Sequence, residues 1–265
     1  MEQPSLHTAA PTEPALPGDS VPDTYFSLTR TRTYGFLSAL PLLILYEVMI
    51  VLANEGAYQQ IRVGAEIWVK EAFALIGQTG VFIMGIAVVL VGSVILFSDR
   101  KRGISIRPAY FGGIVVESVV YALVVAIVVS STVGFIFAGL APEIAMAQSA
   151  GPGGSMFMNI ALSIGAGIYE ELIFRVILVG GMAFLLKSVG IEKVASYIFA
   201  AIVGAAIFSA VHYIGSLGDD FTLPSFTFRF LFGLALNGIF LVRGFGVAAW
   251  THAIYDILIV TGAFS

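Results

Sequence analysis

Long apolar segments alternate with short polar connections along most of the chain. Seven of these segments are long enough to cross a bilayer as a helix, which takes about 20 apolar residues for about 30 Å of hydrocarbon. They cover residues 34–52, 79–97, 112–140, 156–186, 194–214, 226–242 and 246–264. The pattern predicts an all-α polytopic membrane protein, built as a bundle of seven or eight transmembrane helices.

The segment between the first two predicted spans is amphipathic. Ile61, Ala65 and Trp68 recur at helical spacing on one face, whereas Glu66 and Lys70, four residues apart, can pair on another. This pattern predicts an interfacial helix that lies on the membrane surface. A re-entrant eighth element is the alternative.

The N-terminal part has a different composition. Residues 1–24 hold five of the ten prolines and neither lysine nor arginine, so this stretch cannot bury a core. We therefore predict a disordered tail over residues 1–28. Residues 29–265 are expected to form a single transmembrane domain, with a core at about 156–262.

Composition agrees with a membrane location. Hydrophobic residues make up 58% of the chain and charged residues 11%, and the mean hydropathy is +0.95. Soluble domains contain about 25% charged residues. The net charge of −4 argues against a nucleic-acid partner, and the lack of cysteine excludes disulfides and thiolate metal ligands.

Lysine and arginine are distributed unevenly between the two sides of the predicted bundle. One side holds Arg30, Arg32, Arg100, Lys101, Arg102, Arg107, Lys187, Lys193 and Arg243. The connections on the other side hold only Arg62 and Lys70. Because cytoplasmic loops are enriched in basic residues, we expect the N-terminus inside and the C-terminus outside.

Three charged residues interrupt the fourth predicted span near its middle. Charges at this depth cost a few kcal/mol each, so each needs a compensating partner or a function. Glu171 and Arg175 are four residues apart and can pair on one helix face. Glu170 points about 100° away from Glu171 and needs a partner on another helix or in water.

Two further predicted spans carry titratable side chains. His212 lies near the end of the fifth span, and His252 lies in the seventh, four residues before Asp256, which can hydrogen-bond the imidazole. In a bundle, these polar groups are expected to face one another across a polar intramembrane chamber.

These residue types suit the activation of water. A buried carboxylate such as Glu170 can act as a general base, while His212 and His252 can donate to an oxyanion or, with Glu170, bind Zn²⁺. A non-hydrolytic scaffold and a proton-coupled carrier are alternatives, since carriers also use intramembrane carboxylates and histidines.

The motifs EELIFR (170–175), FSAVH (208–212) and HAIYD (252–256), in this order on separate helices, resemble the EExxxR, FxxxH and HxxxN/D motifs of the CPBP intramembrane protease family. This family, also called Abi, includes the type II CAAX prenyl endopeptidases. The resemblance covers about residues 161–260 and includes the glycine-rich run that precedes the last histidine.

The resemblance implies an intramembrane endopeptidase that cleaves a membrane-embedded or lipidated, CAAX-like substrate. Glu170 matches the water-activating glutamate, Glu171 and Arg175 match its supporting residues, and His212 and His252 match the two family histidines. Asp256 stands where the family often has asparagine, which favours a ligand or His-orienting role. A metal-dependent enzyme with zinc and a metal-free one are both compatible, as is a bacteriocin-immunity or scaffold protein of the same fold. We expect an integral protein of a prokaryotic cytoplasmic membrane.

Overall fold

The computed structural model describes residues 23–54, 61–74, 80–138, 155–215 and 218–263. Most of the predicted tail, the start of the second span and the connection that contains GPGG (151–154) lie outside these residues. The described part is helical and contains no strands, which confirms the predicted all-α membrane fold.

The helices are, in chain order, α1 (Tyr25–Thr29), α2 (Arg32–Ala53), α3 (Gly64–Ala74), α4 (Gly80–Lys101), α5 (Pro108–Ile136), α6 (Met156–Glu170), a π-helical segment (Glu171–Gly180), α7 (Gly181–Ser188), α8 (Lys193–Val211), α9 (Leu223–Arg243) and α10 (Phe245–Val260). Each of the seven predicted spans coincides with helical residues. The helices α2, α5, α8 and α9 are long and apolar enough to cross a membrane, and α10 is a shorter apolar helix.

Local sequence signals define where several helices begin and end. Thr31, Ser155 and Thr222 act as N-caps, since each side-chain oxygen accepts a hydrogen bond from a backbone N–H in the first turn. Pro108 occupies the first turn of α5, where no intrahelical N–H is needed. Gly244, with φ of 89°, separates α9 from α10.

The folded part begins earlier than predicted. Residues 25–28 were assigned to the tail, yet α1 forms here and buries Leu28 and Thr29. Tyr25 donates a hydrogen bond to Glu117 of α5 at 2.7 Å. This contact between distant parts of the chain explains why local composition did not reveal the helix.

The centre of the bundle is the close packing of α6 against α10. A Cβ at Gly167 would lie 2.6 Å from the carbonyl oxygen of Ala249 and 2.7 Å from the Cβ of Ala253, so only glycine fits there. The helices α2, α5 and α9 pack around this pair. Large apolar side chains, such as Phe135 and Val94, are exposed on the outside, as expected for surfaces that face lipid.

Candidate active site

The two glutamates lie where the fourth span changes its helical geometry. The helix α6 ends at Glu170, and the π-helical segment begins at Glu171. A π-helix bonds residue i to i+5, and such segments occur frequently at functional sites. The apolar pattern of the sequence gave no indication of this change.

Glu171 and Arg175 form an ion pair that is completely buried. Nη1 of Arg175 lies 2.9 Å from Oε1 of Glu171, and neither side chain is exposed. The guanidinium also lies 4.4 Å from the centre of the Phe208 ring, in a cation–π contact. The predicted pairing of Glu171 with Arg175 is therefore present in the structure.

His252 is oriented by Glu171 from the neighbouring helix. Its Nδ1 lies 2.6 Å from Oε1 of Glu171, within hydrogen-bond distance. Its Nε2 lies 4.0 Å from Oε2 of Glu170 and 3.5 Å from Oδ2 of Asp256. The last two distances are longer than ordinary hydrogen bonds. Asp256 is thus close to the ring, but the shortest contact that orients it comes from Glu171.

His212 lies at the C-terminal end of its helix, close to the predicted end of the fifth span. The helix α8 ends at Val211, and His212 is its C-cap. Its Nδ1 is 2.7 Å from the carbonyl oxygen of Phe208. Because a carbonyl can only accept, Nδ1 must carry the hydrogen. Both site histidines therefore have Nδ1 engaged and retain Nε2 for other partners.

These side chains surround a chamber of about 530 Å³. Glu170, His212, His252 and Asp256 line it, whereas the Glu171–Arg175 pair lies buried behind it. The structure thus brings the predicted residues together in two layers. The outer layer faces the chamber, and the inner one supports it.

The chamber also contains polar residues that sequence reasoning did not assign to the site. Asn159 lines it on α6, eleven residues before Glu170, and Tyr255 lines it on α10. Eleven residues are about three helical turns, so Asn159 and Glu170 share a face. That spacing was the signal in the sequence that could have identified Asn159.

Two charged groups border the chamber. Arg229 lines it and donates hydrogen bonds of 2.8 Å to Tyr213 and Ser225, and it also pairs with Asp219. These polar partners hold the guanidinium of Arg229 at the chamber wall.

The second charged group lies where the chain enters α3. Arg62 lines the chamber and pairs with Glu66 at 2.6 Å and with Glu47 at 3.3 Å. Glu66 is fully buried and also pairs with Lys70, as the four-residue spacing predicted, and with the hydroxyl of Tyr46. This cluster connects α3 to α2 beside the chamber.

The other intramembrane acids serve structural contacts. Glu47 accepts a hydrogen bond from Tyr169 at 3.2 Å, and Glu117 pairs with Arg243 at 2.5 Å. Neither side chain lines the chamber.

The donor atoms of the site are of types that zinc accepts. Carboxylate oxygen and imidazole nitrogen are suitable donors at about 2.0–2.2 Å from the ion. However, the described residues contain no group of three or more histidine, aspartate or glutamate side chains placed to hold a metal ion. As placed, Glu170, His212 and His252 do not form a zinc site.

Fold and site together define a polytopic helical membrane protein with a buried carboxylate–histidine chamber. Residues 152–258, about two fifths of the chain, match the family model described as "Type II CAAX prenyl endopeptidase Rce1-like", in agreement with the resemblance drawn from the motifs. This segment contains all six predicted site residues. None of the curated proteins and none of the solved structures matches the chain. The family implies protease activity at a membrane.

Proposed function

We propose that the chamber hydrolyses a peptide bond of a membrane-associated substrate, with Glu170 as the general base. The observation that carries this proposal is the division of labour between adjacent glutamates. Glu171 is held by Arg175 and His252, whereas Glu170 lines the chamber. A base must reach the proton it removes, and the carboxylate that faces the chamber meets this requirement.

In the proposed reaction, Glu170 takes a proton from water as the water oxygen attacks the carbonyl carbon of the scissile bond. The C–O bond forms, and the carbonyl oxygen becomes an oxyanion. Glu170 then passes the proton to the leaving nitrogen as the C–N bond breaks. Water is consumed, and a carboxyl terminus and an amine are produced.

The histidines are suited to stabilise the oxyanion. The Nδ1 contacts of His212 and His252 leave Nε2 of each ring for this purpose. In the imidazolium form Nε2–H is a donor, and oxyanion donors typically contribute a factor of about 10²–10³ to the rate. Glu171 and Arg175 act through His252 and are positioning residues.

The substrate class follows from the site's depth and its family. The matched family model is described as a CAAX prenyl endopeptidase, and a lipidated or membrane-embedded chain can reach an intramembrane site by lateral diffusion. With about 530 Å³, the chamber admits a short extended segment rather than a folded domain.

The test compares peptide termini in membranes of cells that express wild type, Glu170→Gln or Glu47→Gln at equal folded levels. Glu47→Gln is the matched control, because it makes the same change in an intramembrane carboxylate outside the chamber. We expect new termini with wild type and the control, and their loss with Glu170→Gln. Identical termini in all three would refute proteolysis and favour a non-hydrolytic scaffold.

A further inference from the structure

Among the described residues, the chamber is lined from one end of the bundle. Its lining residues come from the segment before α3, from α6, which is the first half of the span that continues to Ser188, from the end of α8, the first half of α9 and the second half of α10. Because successive spans run in opposite directions, all of these parts lie at the same end. Arg62, Asp219 and Val260 mark this end, called here the chamber end.

The basic side defined by the sequence is the opposite end. Its nine lysine and arginine residues lie at the start of α2, between α4 and α5, between α7 and α8, and between α9 and α10. Contacts across this end support the assignment, since Thr33 hydrogen-bonds Asp99 and Tyr34 accepts from the backbone of Arg107.

The chamber end carries little uncompensated positive charge. Besides Arg175 in the middle of the bundle, the remaining basic residues are Arg62, Lys70 and Arg229. Each of these three pairs with a carboxylate at the same end. The excess of lysine and arginine therefore lies at one end of the bundle, and this basic end is expected to face the cytoplasm.

From these two observations we infer that the chamber opens to the extracytoplasmic face and receives its substrate there. The orientation of the chamber is argued independently of the proposed function. That the chamber receives a substrate there rests on the proposed protease activity. It narrows the substrate class to a membrane-associated peptide segment that lies on the extracytoplasmic side. Such a segment belongs to an exported or membrane protein rather than to a lipidated cytoplasmic one.

The natural sequence is well suited to the test because it contains no cysteine. Asp220→Cys places a single thiol at the chamber end, in the connection before α9, and Ser188→Cys places one at the basic end of α7. Both positions are exposed, and neither lines the chamber. Intact cells of a bacterial host are treated with a membrane-impermeant maleimide, before and after permeabilisation.

The inference predicts that Asp220→Cys reacts equally in intact and permeabilised cells, whereas Ser188→Cys reacts only after permeabilisation. The reverse pattern would overturn it, as would equal labelling of both variants in intact cells. Labelling does not require catalysis. If the labelling is as predicted but no terminus depends on Glu170, the orientation stands and the proposed protease fails.

A second readout tests the substrate side. Termini that depend on Glu170 are assigned to the cytoplasmic or the extracytoplasmic segments of their parent proteins. We expect them in extracytoplasmic segments or close to that membrane surface. Termini confined to cytoplasmic segments would overturn the inference while they support proteolysis.

Discussion

The buried pair between Glu171 and Arg175 makes a strong prediction about stability. The substitution Glu171→Gln preserves the side-chain shape and an acceptor for His252, but it removes the only carboxylate paired with Arg175 in the described structure. An arginine at the centre of a membrane helix costs about 2.5–3.5 kcal/mol on insertion scales. Breaking a buried pair from one side costs about 3–5 kcal/mol. We therefore expect a loss of about 3 kcal/mol in the free energy of unfolding.

A double variant separates the charge effect from the loss of contacts. Adding Arg175→Met to Glu171→Gln removes both charges, so most of the lost stability should return, to within about 1 kcal/mol of wild type. Asp23→Asn is the control, because its pair with Arg107 is half exposed and such pairs contribute about 0–1 kcal/mol.

The assay is a denaturant titration in mixed micelles, followed by the fluorescence of Trp68 and Trp250. The reasoning fails if Glu171→Gln changes the unfolding free energy by less than about 0.5 kcal/mol, the range of an ordinary surface substitution. It also fails if the double variant is as unstable as the sum of the two single variants. Either result would mean that the charge of Arg175 is compensated by something other than Glu171.

Three further predictions concern helix packing, the aspartate at position 256 where the family often has asparagine, and the dependence of activity on a metal ion. Gly167→Val should destabilise the bundle by about 1–3 kcal/mol because it forces α6 away from Ala249, whereas Gly112→Val, with no atom within 4 Å of its Cβ, should be tolerated in the same titration. Asp256→Asn should retain a hydrolytic rate within about tenfold of wild type, because Glu171 orients His252. Glu170→Gln should lower that rate by about 10²–10⁴-fold. A complete loss of activity with Asp256→Asn would contradict this reasoning. Chelation of divalent ions should leave the initial rate unchanged, since no three histidine or carboxylate donors converge within the described part of the chain. A loss of rate that Zn²⁺ reverses would show that the site rearranges around an ion.

Much of the fold follows from the apolar pattern, because a membrane requires helices of a minimum length and satisfied backbone groups. The contact between Glu171 and Arg175 could also be predicted from the sequence, since residues four apart on a helix are neighbours. The burial of α1 could not be predicted, because its contact with Glu117 joins positions 92 residues apart.

The arrangement around His252 depends on tertiary packing and could not be predicted. Its contact with Glu171 exists because Gly167 allows α6 and α10 to approach closely, and this distance is not encoded in the spacing of either motif. The π-helical segment is a change in backbone bonding, and the apolar periodicity does not report it. The sequence therefore predicted which residues come together, but it did not predict that Glu171, and not Asp256, makes the shortest contact with His252.

The central claim is that Glu170 is the base of a peptide hydrolase, and the initial rate of the purified protein in liposomes tests it most directly. Wild type, Glu170→Gln and Glu47→Gln are compared on the peptide whose cleavage the comparison of termini identifies, with folding verified by equal unfolding free energies. The account predicts a rate for Glu170→Gln about 10²–10⁴-fold below wild type, with Glu47→Gln unchanged. A Glu170→Gln protein that retains the wild-type rate would contradict it.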